Sequence, residues 1–179
     1  MNTLIFKISL PEDDAGNACW REVETTADKP LSKLAEGIIN AFGFDFDHAY
    51  GFYSDLSYDY YSSQVKYELF ADMGEDMTMD GPPALSVEKT KTGRVFTELG
   101  QKMQFVFDYG DEWRFLIELR NFGEKVPCRR YPRTVNAQGD APVQYPDWEE
   151  DEAEYEDGEV IGVNPQTGQV VRFEKRQKD

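Results

Sequence analysis

Apolar and polar residues alternate from the start of the chain. Leu4, Phe6, Ile8 and Leu10 recur with period two, the pattern of a strand that buries one face. The polar stretch Pro11–Asn17 predicts a turn, and Cys19–Thr26 predicts a second strand that closes an opening hairpin. Asp28 and Pro30 supply helix start signals, and Leu31, Leu34, Ile38 and Phe42 follow at helical spacing. Gly43 is a natural stop, since glycine enters the left-handed region without steric cost. His48–Ser54 predicts a third strand, with His48 on the face of Tyr50 and Phe52. Gln64–Ala71 fits helix and strand equally, Asp72–Pro83 reads as a loop, and Val95–Leu99 predicts a short helical turn. In the clearest hairpin, Met103, Phe105, Phe107 and Tyr109 alternate up to Gly110-Asp111-Glu112, and Trp113, Phe115, Ile117 and Leu119 alternate back. Asn121–Tyr145, with Pro127, Pro132 and Pro142, reads as irregular. Val160–Val163 and Gln169–Phe173 predict a last hairpin around Asn164–Gly168. No repeat or linker is visible, so the expectation is one α+β domain over 1–179: a mostly antiparallel sheet of hairpins with one main amphipathic helix packed on it.

Composition sharpens this. The 179 residues suffice for a full core, and twelve Phe, ten Tyr and three Trp make that core aromatic. Cys19 and Cys128 are too few for a disulfide framework. The opening residues read as a strand and not as a signal peptide, and no apolar run approaches the roughly 20 residues that span a bilayer. A cytoplasmic protein without a membrane anchor is therefore expected. Net charge is −16, and removing the nine acids between Asp147 and Glu159 still leaves −7, so the acidity is global. Such a surface repels phosphate backbones and disfavours nucleic acid as a partner. The local exception is the basic cluster Arg120, Lys125, Arg129, Arg130 and Arg133.

Four groups of residues could carry chemistry. Asp108-Tyr109-Gly110-Asp111-Glu112-Trp113 packs three carboxylates into one turn, the donor type a hard cation wants. The oxygen spacing of a calcium loop is missing, however, and a turn with positive φ at Gly110 and aspartate capping the backbone explains the segment better. His48 is the only histidine; as a base or switch it lacks an identifiable nucleophile partner, so a partly buried, hydrogen-bonded histidine is expected. Cys19 reads as a small core residue, and Cys128 as a loop thiol beside Arg129 and Arg130. The aromatic residues form the fourth group. Tyr50, Tyr58, Tyr60, Tyr61 and Trp113, with Arg129 and Arg130, are the candidate binding residues, because aromatics and arginine carry much interface energy.

The order Cys19-Trp20-Arg21-Glu22-Val23, Leu31-Ser32-Lys33-Leu34, Ala41-Phe42-Gly43-Phe44, His48-Ala49-Tyr50-Gly51-Phe52 and Phe107-Asp108-Tyr109-Gly110-Asp111-Glu112-Trp113 resembles the plasmid pRiA ORF-three-like family over residues 1–145. The remainder is then an acidic segment, 146–159, and a C-terminal hairpin, 160–174. The resemblance implies an α+β sheet fold and no established function. Members often carry a histidine shortly after the turn, where this chain has Arg114-Phe115-Leu116. The expected function is a non-catalytic protein-interaction module without a cofactor, showing aromatic and acidic surface to a protein partner, for which a basic one fits. Two alternatives stay open: a metal-assisted hydrolase using Asp108, Asp111, Glu112 and His48, and a mobile-element-associated protein acting on nucleic acid through Arg120–Arg133.

Overall fold

A computed structural model describes residues 3–11, 16, 18–73 and 82–145, and the backbone of strands at 159–163 and 170–174. Chain contacts gather into two compact units, Met1–Gln144 and Tyr145–Asp179. The acidic segment, most of the Asp72–Pro83 loop and the closing turn Asn164–Gly168 lie outside the described residues.

The first unit is built mainly of strands, the clearest of them from the alternating runs. They are β1 (Thr3–Ser9), β2 (Trp20–Thr26), β3 (Tyr50–Tyr53), β4 (Lys66–Glu68), β5 (Leu85–Ser86), β6 (Lys102–Phe107), β7 (Trp113–Gly123) and β8 (Arg133–Gln138). They form one sheet in the order β5-β4-β3-β6-β7-β1-β2-β8. It is a mixed sheet: β4 and β5 run parallel, and the other neighbours pair antiparallel. Not every neighbour is a hairpin, since β3 pairs with β6, β1 with β7 and β2 with β8 across long stretches of sequence.

Side chains alternate across this sheet. Leu4, Phe6, Ile8, Val23, Phe52, Phe105, Phe107, Phe115, Ile117 and Leu119 point to one face and are buried there. That face is covered by helix α1 (Leu31–Phe42) through Leu31, Leu34, Ala35, Ile38, Ile39 and Phe42. Gly43 ends the helix at φ 76°, the left-handed stop its sequence position predicts. No side chain caps the helix start. Instead the amides of Leu31 and Ser32 donate to the carbonyls of Thr90 and Val87, so the 87–93 segment closes the first turn. At the other end, buried Arg21 donates from Nε to the Ala41 carbonyl, placing a cation where the helix dipole is negative.

Several expectations change. Beside the main helix α1, the described residues hold two short ones, a five-residue α2 (Leu69–Met73) and a four-residue α3 (Thr92–Val95). The helical turn expected over Val95–Leu99 therefore lies earlier. Gln64–Ala71 is ambiguous because it is both: β4 runs directly into α2. The expected irregular stretch Asn121–Tyr145 contains the end of β7 and all of β8. Almost every β8 side chain is exposed, so the strand offers no apolar alternation to read.

The second unit contains an antiparallel pair, β9 (Glu159–Val163) and β10 (Val170–Glu174), at the position of the expected last hairpin.

Candidate functional site

The face opposite α1 is open over much of its width. Its β1–β2–β6–β7 region carries Lys7, Glu22, Lys102 and Glu118 in register, with Lys102 bonded to Glu118 at 3.9 Å. At the β3–β4–β6 side the connection 54–65 folds back over this face. Buried Tyr53 and Val106 from the sheet and Tyr60 from the connection make a second, smaller core, with Tyr109 packed against it.

Polar groups lock this cap down. The Tyr53 hydroxyl donates to Glu68 Oε1 at 2.9 Å and lies 2.9 Å from the Tyr109 hydroxyl. Each hydroxyl has one proton, so Tyr109 donates to Tyr53. Tyr60 donates to Glu112 Oε1 at 3.0 Å. Burial, reinforced by neighbouring Tyr109 and Glu68, pushes the Tyr53 hydroxyl far above the usual tyrosine range; burial does the same to Tyr60 and Tyr109. These phenols are hydrogen-bonding pillars that stay protonated at any physiological pH.

Gly51 makes the closure possible. A Cβ there would lie 2.6 Å from the Tyr53 hydroxyl and 2.8 Å from the Tyr109 hydroxyl. Only a residue without a side chain lets both phenols cross β3. Buried Lys66 adds a bond from Nζ to the Tyr61 carbonyl at 3.1 Å.

Arg114 joins the cap to the β6–β7 turn. Its guanidinium lies 4.0 Å from the centre of the Tyr58 ring and 4.8 Å from that of Tyr60. The same group donates to the Tyr58 carbonyl at 3.0 Å and to Glu112 Oε2 at 2.8 Å. Sequence reasoning missed Arg114 as a site residue. The only local signal is its position at the start of β7, two residues after the turn residue Glu112.

The candidate metal ligands resolve differently. Asp108 Oδ1 accepts the Gly110 amide at 3.0 Å and, more loosely, the Asp111 amide at 3.5 Å, so it caps the turn. Glu112 is engaged by Tyr60 and Arg114. Positive φ falls on Asp108 (56°) and Glu112 (52°), and not on Gly110 as expected. His48 approaches this turn, its Nε2 being 3.6 Å from Asp108 Oδ2, while its Nδ1 is 2.8 Å from Asp47 Oδ1. It lies ahead of β3 and is exposed, which corrects the partly buried strand position expected of it. Among the described residues no group of three or more His, Cys, Asp or Glu side chains is arranged to hold a metal ion.

The candidate binding residues divide by environment. Tyr50 is buried beneath the sheet in the α1 core, and Tyr60 is fully buried in the second core; neither is available as surface. Trp113 is partly buried, its ring 4.7 Å from Phe44. Tyr58 is 81% exposed and Tyr61 49% exposed. Arg129 and Arg130 are exposed in the β7–β8 connection, with Cys128 beside them at φ 62°. That connection leads to β8 at one edge of the sheet, whereas the tyrosine cap sits by β3 and β4 at the other. Five strand spacings of about 4.8 Å separate β3 from β8, so these arginines and tyrosines do not share a surface. Within the basic cluster Arg133 is engaged by Glu24 at 2.6 Å and Arg120 by Glu118 at 2.9 Å. Cys19 packs partly buried against the main core.

The fold defines a class: a sheet-rich α+β domain with helix α1 on one face and an aromatic cap on the other. The model of the family described as plasmid pRiA4b ORF-3-like protein matches residues 2–151, and the chain belongs to that family. A crystal structure titled protein of unknown function MM3350, from Methanosarcina mazei Go1, is similar with a TM-score of 0.60 at 18% identity. The match covers 76% of this chain and 69% of that one, and it shows a shared fold. No curated protein matches the chain. Among the described residues no helix is long and apolar enough to cross a membrane.

Proposed function

We propose that the sheet domain is a non-catalytic protein-interaction module of the cytoplasm that presents the 54–65 connection to a protein partner. One observation carries this reading. Leu56, Tyr58, Tyr61 and Val65 are all large, exposed apolar residues, and all four fall within one connection of twelve residues. Loops ordinarily expose small polar groups. This one exposes aromatic and aliphatic surface while Tyr60, Ser63 and Lys66 beneath it are buried. Rigid aromatic surface of this kind costs little entropy to immobilise on binding, which is why tyrosine is enriched at interfaces.

The test compares proteins retained from native lysate by the wild-type chain and by a Tyr58→Ala/Tyr61→Ala variant of unchanged circular dichroism. A partner held by the first and lost by the second is expected. Identical retained sets would remove this surface from consideration.

A further inference from the structure

We infer that the partner docks on this surface through arginine side chains of a basic segment, guanidinium groups stacking on the exposed ring of Tyr58 and on that of Tyr61. The inference rests on the interaction-module reading and names the chemistry of its partner.

Three features point to a guanidinium. The first is an internal precedent: Arg114 already lies against the Tyr58 ring at 4.0 Å, within stacking distance. An aromatic ring presents negative density on both faces, and Tyr58 remains 81% exposed with Arg114 in place. The second is rigidity. Tyr61 packs on Tyr60 with ring centres 4.2 Å apart, and reaches Tyr53 and Tyr109 at 6.3 and 6.4 Å. A ring held on several sides loses little freedom when its open face is covered.

The third is charge. Asp59, on the same connection, is exposed beside both rings in sequence, and the chain carries −16 overall. That field attracts cationic segments and rejects phosphorylated or nucleic-acid partners. An apolar partner could cover Leu56 and Val65 but would strand the Asp59 carboxylate without a counter-charge. Between the two common cations, arginine fits better. Its planar, weakly hydrated group stacks on a ring and still donates hydrogen bonds at its edge.

Binding of a fluorophore-labelled arginine-rich peptide to the full chain tests this. Two changes leave all protein charges intact: Tyr58→Leu and Tyr61→Leu. Each should weaken binding roughly three- to tenfold, and replacing the peptide's arginines with neutral, isosteric citrulline should abolish it. If the leucine variants bind as the wild type does, only bulk charge attraction is at work and the inference fails. Undiminished citrulline binding overturns it equally. Either failure leaves the lysate comparison intact, because a partner lost from the alanine variant would still mark this surface as an interface of other chemistry.

Discussion

Replacing Gly51 with alanine tests whether the tyrosine cap is held as its geometry implies. In an ordinary strand this change stabilises by roughly 0.4–1 kcal/mol, because alanine restricts the unfolded chain. Here the added Cβ would stand 2.6 Å from the Tyr53 hydroxyl, 2.8 Å from the Tyr109 hydroxyl and 2.8 Å from the Tyr53 ring. All are far inside van der Waals contact, so the rings must lift. Lifting Tyr53 breaks its bond to Glu68, which is buried; a hydrogen bond to a charged group contributes about 1.5–3 kcal/mol. The bond from Tyr109 is lost with it, at roughly 1 kcal/mol. Against the small gain in the unfolded state, the net expectation is a destabilisation of about 2–3 kcal/mol. Urea unfolding followed by near-ultraviolet circular dichroism reads both the stability and the tyrosine environment. A Tyr53→Phe background removes the closest of the three contacts and both of these hydrogen bonds beforehand, so most of the cost of Gly51→Ala should disappear there, a fall of about 2 kcal/mol or more. If Gly51→Ala is neutral or stabilising in the wild-type background, the phenols are not clamped over β3 and the description of the cap is wrong.

Arg114→Ala should cost about 1–3 kcal/mol, since it releases a half-buried Glu112 carboxylate, the Tyr58 carbonyl and two rings together. Limited proteolysis should then cut first within 54–65; cleavage elsewhere would mean that Arg114 does not pin the connection. Gly37→Ala should lose about 1–2 kcal/mol despite the better helix propensity of alanine, because its Cβ would lie 2.5 Å from Pro132 Cβ; a stabilised variant, measured by thermal melting, would refute that packing. The hydrogen bond to Asp47, with help from Asp108, raises the His48 pKa above its ordinary 6.5. A raised pKa means stability that is complete below pH 6.5 and lost as pH climbs through the folded value. Wild type should therefore exceed His48→Gln in unfolding free energy near pH 5 and match it near pH 9, the difference staying under about 1 kcal/mol for so exposed a group. A difference that grows with rising pH would reverse the assignment.

Elements that bury a stripe of their own were legible in the sequence. Helix α1 announces itself through Leu31, Leu34, Ile38 and Phe42, and the β6–β7 hairpin through Phe105, Phe107, Phe115 and Ile117, because each pattern is completed within one local segment. Strand β8 was not legible for the converse reason. It is an edge strand whose side chains are exposed, held by pairing with β2 and by the Arg133–Glu24 ion pair across 109 residues of chain. The same distinction governs the site. Tyr58, Tyr60 and Tyr61 look alike in sequence, yet Tyr60 is fully buried and Tyr58 is the most exposed of the three. What sorts them is Arg114 and Glu112, fifty or more residues away and brought beneath the connection only when β3 pairs with β6 and β6 with β7. The tyrosine cluster in the sequence pointed to aromatic surface, but which ring faces solvent depends on a non-local pairing order. The one strong local clue was Gly51 in the middle of an otherwise aromatic strand, where a missing side chain marks something else crossing close above it.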